Sequence, residues 1–299
     1  MARPREHKSV SIKVDTDGTL GYETNSFFRV LWRYIYSPIL NYLPSSTSKL
    51  IKKSNIAAAH VIDNKTNHEA LETLYKCGHS HARSSLIQRC FRRLWFGVDN
   101  SRAVRNRLKM VEKEIKIAIL ELLSRKSDIH LLSIASGSSR SVVLAISQLE
   151  NLGQPIYLSF LDKNPNAIDY SKNLVKMAKL KSKTTWFLDT ANNFPVYFIG
   201  IANPNIIEMV GLLDYFTDEQ VKKIFKTIFD NLQEGGYLIT ANISDNHERP
   251  FISKVVGWHM IYRSAEELID LAHEVGFDVS KMHAYYEPLN IHCVLVARK

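Results

Sequence analysis

Residues 130–143, HLLSIASGSSRSVV, pass from an apolar run through a loop of small residues into a second apolar run. This reads as a strand, a tight turn around Gly137 and the first turn of a helix. The downstream sequence repeats the pattern. IYLSFL (156–161) is a second strand ending at Asp162, and Asn164-Pro165 supplies an N-cap followed by proline at the first helical position. TTWFL (184–188) and NIIEMV (205–210) are the third and fourth strands, and Thr217 to Gln220 forms a capping box. Gly235-Gly236 turns the chain into a fifth strand, YLITANI (237–243), and Ser264 to Glu267 is a second box. The last two strands, near 279–286 and 291–297, are separated only by EPLN, too short for a parallel crossover, so they must be antiparallel. The expected class is α/β: a Rossmann-like, mostly parallel sheet of seven strands with an antiparallel last strand and helices on both faces.

The N-terminal third reads differently. Residues 1–24 lack periodicity and are expected to be a mobile tail, with a helical lid or substrate region over 25–100 and the main domain over 101–299. Ser26 caps an aromatic helix in which Phe27, Phe28, Trp32, Tyr34, Tyr36 and Tyr42 surround Arg29 and Arg33. Residues 26–43 therefore suit either a lid packed on the main domain or a helix at a membrane surface. Further helices are expected at 47–61, 66–95, 102–125 and 141–152, the last closed by Gly153.

The net charge of +9 is unevenly placed: residues 1–128 hold 23 Lys and Arg against 12 Asp and Glu, or +11, while the remainder holds 16 against 18, or −2. That asymmetry points to an anionic partner for the N-terminal part: a carboxylate substrate, a lipid surface or nucleic acid. Cys77, Cys90 and Cys293 are far apart, with no CxxC pair, so neither a disulfide framework nor a metal site is expected. No apolar run approaches the ~20 residues of a membrane span, and the N-terminus is polar, so a cytoplasmic protein, at most peripheral on a membrane, is expected.

Three nucleotide-like ligands compete for the Gly137 loop. A P-loop needs a lysine on the phosphates, and 137–141 is Gly-Ser-Ser-Arg-Ser. A dinucleotide fingerprint needs three glycines, and the corresponding positions are Ala135, Gly137 and Arg140. S-adenosylmethionine, without phosphate, asks only for one close approach of the backbone. Asp162 at the end of the second strand can accept the two ribose hydroxyls, and Asp189, after the third strand, can accept from the adenine amino group; Lys163 and Thr190 are their neighbours at the same crevice.

The motifs SIASGSSRSVV, FLDKNPNAI, EMVGLLDYFTDEQ, LQEGGYLITANI and GWHMIYRSAEELIDLAHEVGF together resemble the class I S-adenosylmethionine-dependent methyltransferases over residues 100–299. More narrowly they resemble a poorly characterised bacterial family of that class. The resemblance implies Ala135, Ser136 and Gly137 against the methionine moiety, Asp162 on the ribose and Asp189 near the adenine. NSRAVRNRLKMVEKEI resembles the arginine-bearing helix that such proteins place before the first strand, with Arg107 reaching the cofactor carboxylate. The chain departs from the common loop pattern in lacking an acid near Ser133 and glycines at Ala135 and Ser139.

Methyl transfer needs alignment and desolvation, and a base only where the acceptor must lose a proton. Candidates lie at the carboxyl ends of the fourth and fifth strands: Glu208, Gly211 and Tyr215, then His247, Tyr262 and Arg263 in the long connection 244–264. His247 is the expected base and Arg263 the anchor for an acceptor carboxylate. The expected acceptor is a small, acyl-type, anionic metabolite, such as a hydroxy fatty acid, methylated on oxygen or nitrogen. An RNA or protein methyltransferase using the basic N-terminal region is the first alternative, disfavoured because EMVGLLDY stands where many base methylases have Asn-Pro-Pro-Tyr. A binding module that keeps the fold without catalysis is the second.

Overall fold

The computed structural model describes residues 10–76, 93–125, 128–150 and 155–299. Residues 1–9, Cys77, Cys90 and the expected cap Gly153 lie outside them. The strands are β1 (Ser11–Val14), β2 (Ile129–Ile134), β3 (Ile156–Asp162), β4 (Lys183–Leu188), β5 (Ile206–Val210), β6 (Tyr237–Ile243), β7 (Met282–Tyr286) and β8 (His292–Arg298). They form one sheet in the order β1-β7-β8-β6-β5-β2-β3-β4. Only β8 runs antiparallel, against β6 on one side and β7 on the other. Strands such as β2, β6 and β8 are near-continuous apolar runs because both of their faces are covered.

One layer packs α5 (Asp99–Leu123) and α6 (Arg140–Leu149) on the sheet, where Met110, Ile115, Ile119 and Leu122 recur at helical spacing against Leu131, Ile239 and Val294. The opposite layer holds α8 (Asp218–Asn231) and α9 (Ala265–Glu274), whose Ile224, Phe225, Ile228 and Leu268 meet Leu132, Ile207 and Leu295. Both capping boxes are formed, at Thr217 and Ser264. Asn164 caps α7 (Pro165–Ala178) by accepting from the Asn166 N–H.

The structure corrects several expectations. The sheet has eight strands, because Ser11–Val14 of the expected tail pairs in parallel with β7 and covers its outer edge. The segment after it is held as well: Asp15 accepts from Tyr22 Oη at 2.8 Å and Lys113 Nζ at 2.9 Å. The expected helix 47–61 is two helices, α2 (Thr47–Ser54) and α3 (Ile56–Asp63), because Asn55 turns extended and caps the second by accepting from the Ala58 N–H. In the stretch 66–95, α4 (His68–Tyr75) is followed by residues outside those described. Between β4 and β5 the crossover is a 3-10 helix, Ala191–Phe198, containing Pro195.

Gly236 shows how tightly the sheet end is built. A Cβ there would stand 2.6 Å from the Asn205 carbonyl and 2.8 Å from that of Gln233, and backbone atoms cannot swing aside. Gly236→Ala should therefore cost at least about 2 kcal/mol in urea unfolding, whereas Gly18→Ala, with open space around it, should leave the midpoint nearly unchanged.

Candidate active site

Chain order reverses at β2: β3 and β4 lie on one side of it, β5 and β6 on the other. The crevice at the carboxyl ends of strands that part in this way is where open α/β sheets bind ligands. Here it opens into a cavity of about 620 Å³. Ala135, Gly137 and Ser139 all have positive φ, so the loop after β2 turns sharply away from the sheet. A Cβ on Gly137 would stand 3.5 Å from that of His68, because α4 sits directly over this loop.

Asp162 ties the crevice together. One carboxylate oxygen accepts from the Gly137 N–H and the other from the Asn164 N–H, both at 2.8 Å. The Asp189 N–H reaches the Asp162 carbonyl at 3.1 Å, which sets the two aspartates side by side. The Asp189 carboxylate is held below its usual range by bonds from the Thr190 N–H, the Asn193 amide and the Tyr197 hydroxyl. Ala135, Gly137, Asp162 and Lys163 all border the cavity, as do Asp189, Thr190, Gly211 and Arg107. Ser136 does not: its N–H donates to the Leu161 carbonyl, and its hydroxyl is buried without a partner.

Arg107 is buried on α5 and reaches the cavity floor, with Nη1 4.0 Å from an Asp214 carboxylate oxygen and Nε unpartnered. Around it are groups that resist ionisation. Burial pushes Glu208 up to about 7, against the opposing pull of its bond from Ser133 and of Arg107. Burial likewise raises Asp214, although Arg107 and the Ile243 N–H favour its charged form. His292, at the start of β8, is depressed by burial and by Arg107, and neither ring nitrogen has a hydrogen-bond partner. It borders the same cavity. Nothing in the run EPLNIHC marked it, since its place beside Arg107 depends on the antiparallel return of β8.

Much of the rest of the cavity is apolar. Val61 of α3, Leu71 and Leu74 of α4, and Trp95 form one wall, and Phe251, Val256 and Trp258 of the long connection form the other. α4 is fastened to the sheet domain by Glu72, which takes two bonds from the Arg140 guanidinium, at 2.7 and 2.5 Å, and one from the Tyr170 hydroxyl at 2.6 Å. Arg140, which occupies the place of a third dinucleotide glycine, is thus a clamp on the helical cap.

The three residues expected to carry catalysis are not brought to the cavity. Arg263 commits its donors to Asp218, Asn242 and the carbonyls of Leu213 and Phe216, a structural role that pins the loop after β5 to β6. His247 offers its carbonyl to Ser37 and Asn41 and sets Nε2 3.4 Å from Asp99, at the N-terminus of α5. Tyr262 packs its ring under the Arg249 guanidinium, 4.4 Å from the ring centre. In the neighbouring Asp99-His247-Glu248 cluster, Glu248 accepts from the N–H groups of Asp99 and Asn100 at the start of α5.

Apart from the added edge strand β1, this sheet order, with a glycine loop after β2 and an aspartate ending β3, is that of the class I S-adenosylmethionine-dependent methyltransferases. The chain belongs to the family described as "Putative methyltransferase", whose signature matches residues 68–299. No curated relative matches it. Among solved structures it is similar to a possible exported protein from Bordetella parapertussis (15% identity, 78% of this chain and 79% of that one, TM-score 0.62). It is also similar to magnesium protoporphyrin IX methyltransferase from Synechocystis PCC 6803 with bound SAH (8% identity, 76% and 93%, TM-score 0.51).

A buried carboxyl raised in this way stabilises the fold below its unfolded value near 4.5, and that contribution is lost as pH rises through about 7. Glu208→Gln should remove the loss, so that between pH 4.5 and 8 the variant gains on the parent by on the order of 3 kcal/mol. Urea unfolding at a series of pH values checks this; parallel curves would show that Glu208 does not titrate there.

Proposed function

We propose that this protein transfers a methyl group from S-adenosylmethionine to an oxygen or nitrogen of a small, partly apolar acceptor carrying an anionic group, such as a hydroxy fatty acid. One observation carries the reading: a single cavity joins the polar crevice at Gly137 and Asp162 to the apolar chamber under α3 and α4. The residues present fit the cofactor. The unpartnered Nε of buried Arg107 suits a carboxylate, and each Asp162 oxygen keeps a lone pair after binding one backbone N–H. Gly137, without a side chain, leaves room between the loop and His68. Asp189, with Lys163 and Thr190, is assigned to the adenosine end.

Bound there, S-adenosylmethionine supplies an electrophilic methyl group. The residues of this chain have then to align the acceptor, exclude water and accommodate any proton released. The apolar walls at Leu74, Trp95, Phe251 and Trp258 do the first two. Lys65 and Lys163 at the same cavity offer cations to an acidic end. His292, kept neutral by burial and by Arg107, has a free ring lone pair that can accept a hydrogen bond from an acceptor hydroxyl and orient it. In this reading residues 25–100 are the acceptor region, and His247, Tyr262 and Arg263 hold the frame. A chamber roofed by helices suits a small molecule better than a nucleic acid strand.

Calorimetry with S-adenosylmethionine tests the assignment. Arg107→Met and Asp162→Asn should each weaken binding by about tenfold to a hundredfold. The amide keeps one acceptor oxygen for Gly137 or Asn164 but sets its NH2 against the other N–H, so an unchanged melting temperature is required alongside the calorimetry. His292→Gln should leave cofactor affinity intact while lowering transfer of labelled methyl to a hydroxy fatty acid panel. An intact protein that binds no S-adenosylmethionine overturns the proposal.

A further inference from the structure

The first helix is built inside out. α1 (Phe27–Tyr42) turns its polar residues to the body of the protein: Tyr36 Oη donates to Glu248 at 3.1 Å, and Ser37 Oγ and the Asn41 amide donate to the His247 carbonyl at 2.8 Å each. The Asn41 carbonyl oxygen takes the Phe251 N–H in return. Leu40 packs inward on the helical cap, but most of its apolar residues face outward. Phe28 is 80% exposed, Tyr42 88% and Trp32 56%, with Phe27, Leu31, Tyr34, Ile35 and Ile39 also exposed around them. Leu50 of α2 and Ile56 of α3 are exposed as well. Scattered apolar residues on a surface mean little, but a contiguous patch of this kind marks an interaction site.

The charges select the occupant. From Thr24 to Ile62 the sequence contains no Asp or Glu and five cations: Arg29, Arg33, Lys49, Lys52 and Lys53. Arg29 is engaged by the Gly97 carbonyl and Asp99, and Lys52 by Asp63. Arg33 lies over the outward Tyr34 ring, and Lys49 and Lys53 project from α2. A second copy of this face would set cation against cation with no acid in the segment to offset them. At ~1.5 Å per residue a 16-residue helix lies in a membrane plane but cannot cross one, and no described helix is long and apolar enough to do so. Exposed aromatic and aliphatic residues bordered by Arg and Lys match the boundary between acyl chains and anionic headgroups.

We infer that α1, with the first turns of α2 and α3, docks in the plane of an anionic lipid bilayer. This goes beyond the methyltransferase reading and does not rest on it. Its bearing on the site is geometric: α1 is bolted to His247, Glu248 and Phe251, and Phe251 lines the cavity, so the docked helix is joined directly to a cavity wall.

Flotation of the full chain with vesicles of phosphatidylcholine, with and without phosphatidylserine, is the test. The intact protein should float with the anionic vesicles, and less so as salt is raised. The exposed-residue variants Trp32→Ala and Phe27→Ser/Phe28→Ser should retain the parent melting temperature and bind about tenfold more weakly or worse. Absence of phosphatidylserine-dependent binding by the intact chain overturns the inference. So does equal binding by both variants, or a concentration-dependent dimer in sedimentation that the same variants abolish, which would make the occupant a second copy.

Discussion

The placement of β2 governs the rest of the molecule. Its neighbours β3 and β5 are reached by connections that leave the sheet on opposite faces, since crossovers between parallel strands keep one hand. No crossover helix of the sheet then covers the loop that follows β2, which is left to α4 of the helical cap, and three positive-φ residues within five carry that loop outward. A loop that leaves the sheet in this way needs a tether. Asp162 supplies it by directing one oxygen to Gly137 and the other to the N-terminus of α7. The residue expected to recognise a ribose is therefore also part of the frame, and its two roles are compatible because backbone N–H groups use only half of its accepting capacity.

The same opening explains the helical cap. A crevice lined by apolar ends of β5 and β6 would stand open to water unless another element closed it, and α3, α4 and the connection after β6 do so through a cluster of their own. Apolar contact is tolerant of sliding. Orientation comes from charged groups with fixed geometry: the fork of Arg140 on Glu72, and the carboxylate of Glu248 across the first N–H groups of α5. Each is largely buried, so breaking one would strand a charge and cost more than forming it gains.

What could be read from the sequence was what is local. Caps at Asn164, Thr217 and Ser264, the strand-end aspartates and the closing hairpin depend on residues a few positions apart, and the structure has them all. The helical cap could be foreseen as helices but not as contacts. Glu72 meets Arg140 across 68 positions, and Glu248 meets Asp99 across 149. The connection 244–264 misled for a related reason. Its polar residues suggested a substrate surface, yet a long segment packed over a sheet has its own backbone to satisfy, and Arg263 and Ser244 are consumed in doing so. β1 escaped notice because four residues give no periodicity, and its partner strand begins some 270 positions later.

The floor of the cavity is where electrostatics and burial are most finely opposed. Arg107 is a permanent cation; its neighbours Glu208 and Asp214 are both driven toward the neutral form by burial, and His292 toward the uncharged ring. Full ionisation of both carboxyls would overcompensate the guanidinium and leave the floor negative. Burial opposes that outcome by raising both groups. The Nε of Arg107 is still left without a hydrogen-bond partner; a buried, unsatisfied donor on a cation is unfavourable in isolation, and the most direct way to relieve it is an anion that arrives already oriented. A ligand carboxylate at the unpartnered Nε meets that condition, so the penalty of burying this guanidinium and its affinity for an anion have a common origin in the depth at which Arg107 is held.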